Sequence, residues 1–161
     1  ASDVYKRQGY IVVNVLLYIT VGIEEELMFR SVVTECVLRK NSNIIVFASV
    51  YSGLLFGLAH ITNFIFDADM TMFNKWCTMI MACVFGFTLA VIFLRTKSIG
   101  AVITLHFLWD FADFMNHMMI VERYRYGGSY NALALQIPVL IVMLVIAVFC
   151  MYKRQMRLQS V

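Results

Sequence analysis

Long apolar runs, separated by short polar connections, dominate the chain. They lie at residues 10–40, 44–66, 70–95, 99–121 and 132–152. A helix needs roughly 20 apolar residues to cross a bilayer core of about 30 Å, and each run reaches that length. The first run is either one long helix or two helices joined near Gly22. The pattern therefore predicts an all-α fold, a polytopic transmembrane helix bundle of about five spans.

The composition agrees with a membrane protein. Of the 161 residues, 61% are hydrophobic and only 14% are charged, whereas soluble domains average roughly half apolar and a quarter charged. Four cysteines, Cys36, Cys77, Cys83 and Cys150, lie inside the apolar runs without CxxC spacing. They are interpreted as small buried hydrophobic residues, and their spacing indicates neither a disulfide framework nor a thiolate metal site.

Basic residues cluster at the ends of the predicted spans and set an orientation. Arg39, Arg95 and Lys153 mark clusters on one side of an alternating path, and Asp67 and Asp69 lie on the other. Because cytoplasmic loops are enriched in Lys and Arg, we expect the basic side and the C-terminus to be cytoplasmic. The net charge of +3 arises at these segment ends, so we expect no nucleic-acid partner.

The sequence divides into three parts. Residues 1–8, ASDVYKRQ, resemble the translation of a transposon adapter used in sequencing libraries, and are interpreted as a cloning or adapter scar. Residues 9–152 are the predicted transmembrane core, and residues 153–161 are a basic cytoplasmic tail. We therefore expect the natural chain to be truncated at its N-terminus, with further helices upstream.

Three consecutive glutamates and an arginine stand inside the first apolar run, in the stretch IEEELMFR. Ionised side chains in an apolar surround are costly unless they are paired or functional. On a helix, Glu26 and Arg30 are four residues apart with the acid first, which is the better orientation for a structural ion pair. Glu25 is rotated by about 100° from Glu26. Glu25 is therefore the candidate for chemistry, and Glu24 is assigned no role.

Two histidine clusters lie in later runs. The stretch FGLAH places Phe56 and His60 on one helical face, and HFLWD does the same for His106 and Asp110. Costly polar residues on three different helices are expected to converge on one interior site. Trp109 is interpreted as packing beside that site.

These residue types suit the hydrolysis of an amide. A carboxylate in an apolar cavity is a good general base for water. A histidine can stabilise an oxyanion or bind a metal, and a nearby Asp can orient it. No serine or cysteine with a neighbouring histidine forms a recognisable nucleophile motif. Attack by an activated water is therefore favoured over an acyl-enzyme.

The ordered set of motifs resembles the CPBP family of intramembrane proteases, which contains the type II CAAX prenyl endopeptidases and the bacterial Abi proteins. Family members carry EExxxR, FxxxH, and HxxxN or HxxxD on successive transmembrane helices. This chain has EELMFR, FGLAH and HFLWD in that order. The resemblance implies an endopeptidase of the cell membrane of a prokaryote, acting on a peptide or membrane-protein substrate within the lipid bilayer.

The resemblance also implies roles for individual residues. Four match the family's catalytic positions: Glu25, His60, His106 and Asp110. Three match supporting positions: Glu26, Arg30 and Phe56. Glu25 corresponds to the glutamate that activates water. Asp110 stands where Asn is commoner, and it adds a negative charge.

The sequence leaves metal dependence open. His60, His106 and Glu25 could supply three ligands to zinc and leave one position for water. Glu25 cannot readily be both a metal ligand and a free base. We therefore favour a glutamate base, with His60 and His106 as the ligands if a metal is bound.

Two other functions remain as alternatives. The first is a proton- or cation-coupled transport component, because intramembrane Glu, His and Asp also build relays. Paired broken helices would support it, but only Pro138 interrupts a span, and that span carries no motif. The second is a catalytically silent scaffold or immunity protein of the same fold, against which the intact motif set argues.

Overall fold

Helices form nearly all of the described backbone in this computed structural model. It describes residues 2–40, 45–66 and 71–125, together with positions 138, 141, 142, 144, 145 and 148. The helices are α1 (Ser2–Glu26), α2 (Glu35–Lys40), α3 (Ile45–Ala59), α4 (Thr62–Phe66), α5 (Met72–Thr96) and α6 (Ile99–Arg125), with a π-helical segment, Leu27–Thr34, between α1 and α2. None of the described residues forms a β-strand. The all-α class is confirmed.

The first apolar run is one helical path that passes through Gly22 without a break. Its irregularity lies further on, in the π segment (Leu27–Thr34), where Thr34 Oγ1 donates to the Phe29 carbonyl 2.8 Å away. A π-helical segment offsets the backbone bonds to i→i+5, and such segments occur frequently at functional sites. The sequence pattern did not predict it.

Two helical stretches are long and apolar enough to cross a membrane. Ile45–Phe66 has 22 residues with a mean hydropathy of 1.7, and Met72–Thr96 has 25 residues with a mean hydropathy of 2.4. The predicted count of five spans is not confirmed. The fifth run is described only at single helical positions between 138 and 148. The predictions for Asp67, Asp69, Cys150 and the tail at 153–161 lie outside the described residues.

Local hydrogen bonds define where α5 and α6 begin and end. Thr71 caps α5, because its hydroxyl oxygen accepts the backbone N–H of Asn74 at 3.3 Å. At the other end Lys97 is left-handed, with φ of 54°, and its N–H donates to Phe93 O at 2.7 Å. Ser98 Oγ then accepts the N–H of Ala101 at 3.2 Å. The connection of α5 to α6 is therefore a tight turn that makes the two helices neighbours.

Helices α3 and α5 pack closely because glycine replaces larger side chains at the contact. A Cβ on Gly53 would lie 2.7 Å from both Cys83 O and Phe87 N, and one on Gly86 would lie 2.7 Å from Phe56 Cβ. Small residues let helices in lipid approach this closely. The contact presses one face of α3 onto α5 and continues into an apolar core formed by Phe29, Phe56, Ala82, Phe85, Leu89, Phe93, Leu94 and Val102.

Large apolar side chains cover the outside of α1. Val12, Val13, Leu16 and Leu17 are exposed, and an exposed apolar patch of this kind is typical of a surface that contacts a membrane or another protein. Cys36 is also exposed, whereas Cys77 and Cys83 are half-buried, and all three are free thiols. The prediction that the cysteines are buried is therefore wrong for Cys36.

Candidate active site

The three sequence motifs meet where α1, α3 and α6 come together. Glu25 and Glu26 end α1, and Arg30 lies in the π segment. His60 sits in the single turn between α3 and α4, where its N–H donates to Gly57 O at 3.1 Å. His106 belongs to α6. The fold thus gathers residues that are far apart in the sequence.

Glu26 and Arg30 form the predicted ion pair. Arg30 Nε lies 2.7 Å from Glu26 Oε2, and Nη2 lies 3.1 Å from Oε1. Arg30 Nη1 donates to Ser52 Oγ on α3 at 3.0 Å. All three residues are fully buried, and we call them the buried network. Two-pronged, fully bonded geometry of this kind is what a buried ion pair needs to offset the desolvation of its charges.

His106 connects the buried network to a group of open carboxylates. Its Nδ1 lies 2.9 Å from Glu26 Oε1. On the other edge of the ring, Nε2 lies 3.7 Å from Glu25 Oε2 and 3.5 Å from Asp110 Oδ2. The His106 side chain is only 4% exposed, while those of Glu25 and Asp110 are 34% and 22% exposed. One edge of His106 is therefore dry, and the other faces groups that water can reach.

His60 reaches the same region from α3. Its Nδ1 lies 3.0 Å from the carbonyl oxygen of Phe56. Because a carbonyl only accepts, Nδ1 carries the hydrogen and Nε2 is left for other partners. The Phe56 ring lies between the two histidines, with centroids 5.2 Å from His60 and 5.7 Å from His106. The predicted sharing of a face by Phe56 and His60 is present.

A cavity of about 260 Å³ opens between α3, α5 and α6 beside these residues. Its polar lining consists of His60, Thr78, His106, Asp110 and Asp113. Its apolar wall consists of Phe56, Met81, Ala82, Phe85 and Trp109. The Phe85 and Trp109 rings, 5.0 Å apart, confirm that Trp109 packs beside the site. An apolar wall with a few polar groups is typical of ligand pockets, and the volume lies just below their usual range of about 300–1,000 Å³.

The described side chains do not form a metal site as they stand. Within residues 2–40, 45–66 and 71–125, no three His, Cys, Asp or Glu side chains are grouped so that they could hold a metal ion. Nδ1 of His106 and Nδ1 of His60 are each used in a protein hydrogen bond, so only Nε2 of each ring could bind a metal, as is usual for metal-binding histidines. Since no group of three ligands is present among the described residues, the three-ligand zinc site stays a prediction.

Several site residues were not predicted from the sequence. Ser52 bonds Arg30, and the α5 residues of the cavity wall and Asp113 line the cavity. Ser52 and Asp113 carried a signal in their spacing. Ser52 precedes Phe56 by four residues and so shares the face of Phe56 and His60, and Asp113 follows Asp110 by three on α6.

Comparison with known proteins agrees with the motifs. The sequence model of the family described as Type II CAAX prenyl endopeptidase Rce1-like matches residues 7–112. No curated protein and no solved structure matches the chain. The matched region contains all three motifs and most of the chain, so the predicted resemblance is confirmed. Together with the two apolar helices, it indicates an integral membrane protein. The chain belongs to the Rce1-like type II CAAX prenyl endopeptidases, a family of intramembrane proteases.

Proposed function

We propose that the chain is an intramembrane endopeptidase in which Glu25 activates a water molecule for attack on a peptide bond. The observation that carries this is the contrast between Glu25 and its neighbour. Glu26 is fully buried and holds Arg30, while Glu25 is 34% exposed and faces His106 Nε2 across 3.7 Å. A water oxygen can lie within hydrogen-bond distance of both atoms at that separation.

The proposed reaction uses Glu25 as both base and acid. Glu25 removes a proton from the water as the water oxygen bonds to the scissile carbonyl carbon, and the carbonyl oxygen becomes an oxyanion. When the C–N bond breaks, the same proton passes from Glu25 to the leaving nitrogen. The carboxylate is then regenerated for the next cycle. Such proton transfer by a positioned side chain contributes about 10²–10⁴-fold to a rate.

The two histidines and Asp110 act on the other reacting atoms. His60 and His106 reach the cavity through Nε2, because each uses Nδ1 elsewhere. An unprotonated Nε2 accepts a hydrogen from the water, and a protonated Nε2 donates to the oxyanion. Asp110, whose Oδ2 is 3.5 Å from His106 Nε2, orients that ring from the cavity side.

A peptide segment is the substrate class that this site suits. The substrate would lie in the cavity between α3, α5 and α6, with apolar side chains against Phe85 and Trp109. Because two of the surrounding helical stretches, Ile45–Phe66 and Met72–Thr96, are apolar enough to span a bilayer, the substrate would reach the site from within or beside the lipid. The proposal involves no nucleic-acid partner.

A matched pair of variants tests the proposal. The detergent-purified protein is incubated with a peptide library, and cleavage is followed by mass spectrometry with and without a chelator, alongside metal analysis. Glu25→Gln should lower the cleavage rate by about 10²–10⁴-fold, with unchanged thermal unfolding. Glu24→Gln, at the exposed residue next to it, should retain the rate. Full activity of Glu25→Gln would overturn the role of Glu25, and loss of activity with the chelator would restore the metal alternative.

A further inference from the structure

We propose that Glu26 is a positioning residue for His106 as well as the partner of Arg30. In this role Glu26 fixes the hydrogen of His106 on Nδ1, so that Nε2 faces the reacting groups. The inference rests on the proposed function, because it assigns Glu26 a part in the same reaction. It goes beyond the ion pair that the sequence predicts for Glu26.

The protonation of Glu26 follows from its partners. Both of its oxygens receive hydrogen bonds from Arg30, Oε2 from Nε and Oε1 from Nη2. The Arg30 guanidinium stays charged and donates to both oxygens at once, which is the geometry of a pair with an ionised acid. A neutral Glu26 would leave the buried charge of Arg30 without a counter-ion. Glu26 is therefore a carboxylate, and it has no hydrogen to give to His106.

The tautomer of His106 follows in turn. Its Nδ1 lies 2.9 Å from Glu26 Oε1, and a carboxylate oxygen can only accept there. A neutral His106 with its hydrogen on Nε2 would instead direct a lone pair at an anionic oxygen in a fully buried site, which is costly. Nδ1 must therefore carry the hydrogen. Nε2 is left toward Glu25 and Asp110.

The rest of the buried network keeps Glu26 in place for this task. Arg30 holds both carboxylate oxygens and is itself tied to α3 through Ser52. Ser52 Oγ also donates to the Phe29 carbonyl at 3.3 Å in the π segment. Among the described residues, no buried side-chain nitrogen or oxygen lacks a hydrogen-bond partner. The position of the His106 ring thus depends on contacts that join α1, α3 and α6.

Two double variants separate the pairing of Arg30 from the positioning of His106. Glu26→Gln with Arg30→Gln removes both charges but keeps a carbonyl oxygen that can accept the hydrogen of His106 Nδ1. Glu26→Met with Arg30→Met removes both charges and that acceptor, with side chains of similar length. Neither variant contains an unpaired buried charge, so the folded fraction of both is measured by thermal unfolding before any kinetics.

The expected result is a difference in kcat between the two double variants. The Met pair should have a kcat roughly 10–100-fold below that of the Gln pair, the range typical when a partner that orients a histidine is removed, with similar KM. Equal kcat values in two folded proteins would overturn the proposal. They would leave Glu26 as a partner of Arg30 alone.

Nitrogen-15 NMR of the unaltered protein gives a second readout, independent of cleavage. With the rings neutral at alkaline pH, His106 should show its hydrogen on Nδ1, and a hydrogen on Nε2 would overturn the proposal even if neither double variant folds. His60 is the internal control, because its Nδ1 partner is the Phe56 carbonyl. Its signals should be the same in the unaltered protein and in both variants. A protein that shows the expected tautomer but cleaves no peptide would contradict the proposed function, and only the assignment of the His106 tautomer to its contact with Glu26 would remain.

Discussion

Glu25 and Glu26 are consecutive residues of one helix, yet they belong to two different regions of the molecule. Glu26 is part of the buried network, where every oxygen is bonded and no surface is exposed. Glu25 is 34% exposed, and its Oε2 lies 3.7 Å from Nε2 of His106, a residue that lines the cavity. A rotation of about 100° along the helix therefore separates a side chain that holds the fold from one that is left for chemistry.

The two regions differ in how fully the carboxylate oxygens are hydrogen-bonded, and not in residue type. An acid bound on both oxygens by a guanidinium gains stability from its contacts and has little capacity left for a reaction. A partly exposed acid, as Glu25 is, can exchange protons with water. Substitutions in the buried network should therefore change stability first, and substitutions around the cavity should change rate first.

The largest effect is expected from Arg30→Ala, which would leave Glu26 as an unpaired buried charge. The loss of one partner from a buried pair costs about 3–5 kcal/mol. Thermal and denaturant unfolding in detergent would measure it. Arg95→Ala, at an exposed arginine of α5, is the control and should change stability by less than about 0.5 kcal/mol. Normal stability of Arg30→Ala would refute the assignment of the buried network as the structural region.

His60→Ala and His106→Ala test the boundary between the regions. Each should lower the cleavage rate by about 10²–10³-fold, because each removes a group that stabilises the transition state. The double variant should be little slower than either single one, since the residues act as a unit. Of the two single variants, only His106→Ala should also lose stability, because His106 bonds Glu26 and His60 does not. Independent, multiplying effects on rate would argue against a shared site.

Ser52→Ala is expected to have the smallest effect, and it refines the extent of the buried network. It removes the acceptor for Arg30 Nη1, and an unsatisfied buried donor costs about 1–3 kcal/mol. Ser49→Ala is a closely matched control. Ser49 is equally buried on the same helix, but its hydroxyl donates only to Ile45 O within α3, at 2.9 Å. Urea unfolding should separate the two variants, and equal losses would remove Ser52 from the network.

The fold was predictable where a single helix determined the outcome. Apolar run lengths gave the positions of α5 and α6 to within a few residues, and i,i+4 spacing gave the pair of Glu26 with Arg30. They did not give the turn after Ala59 that divides the run at 44–66 into α3 and α4. The π segment was not predictable, because its sequence, LMFRSVVT, has an ordinary composition for an apolar helix. In this segment the Phe29 carbonyl accepts hydrogen bonds from two hydroxyls, that of Thr34 and that of Ser52 on α3.

The closeness of His106 to Glu25 and Asp110 could be predicted from the sequence, but its bond to Glu26 could not. Motif spacing indicated that Glu25, His60, His106 and Asp110 belong together, since each is costly to place in an apolar span. It did not indicate that His106 bonds Glu26, because 80 residues separate the two in the chain. Contacts between helices depend on crossing geometry and on close approaches such as that at Gly53, which helical periodicity does not contain.

The Phe56 ring has a consequence for the local dielectric on its two sides. One side of it meets the Arg30 guanidinium, 5.3 Å from the ring centroid, and the residue also forms part of the cavity wall. Charges at a given distance attract several times more strongly in a dry interior than beside water. Phe56 thus keeps the water of the cavity away from the Arg30–Glu26 ion pair. A smaller residue at this position would let water reach the ion pair. Glu26 would then lie in surroundings as polar as those of Glu25, and the two glutamates would no longer differ in environment.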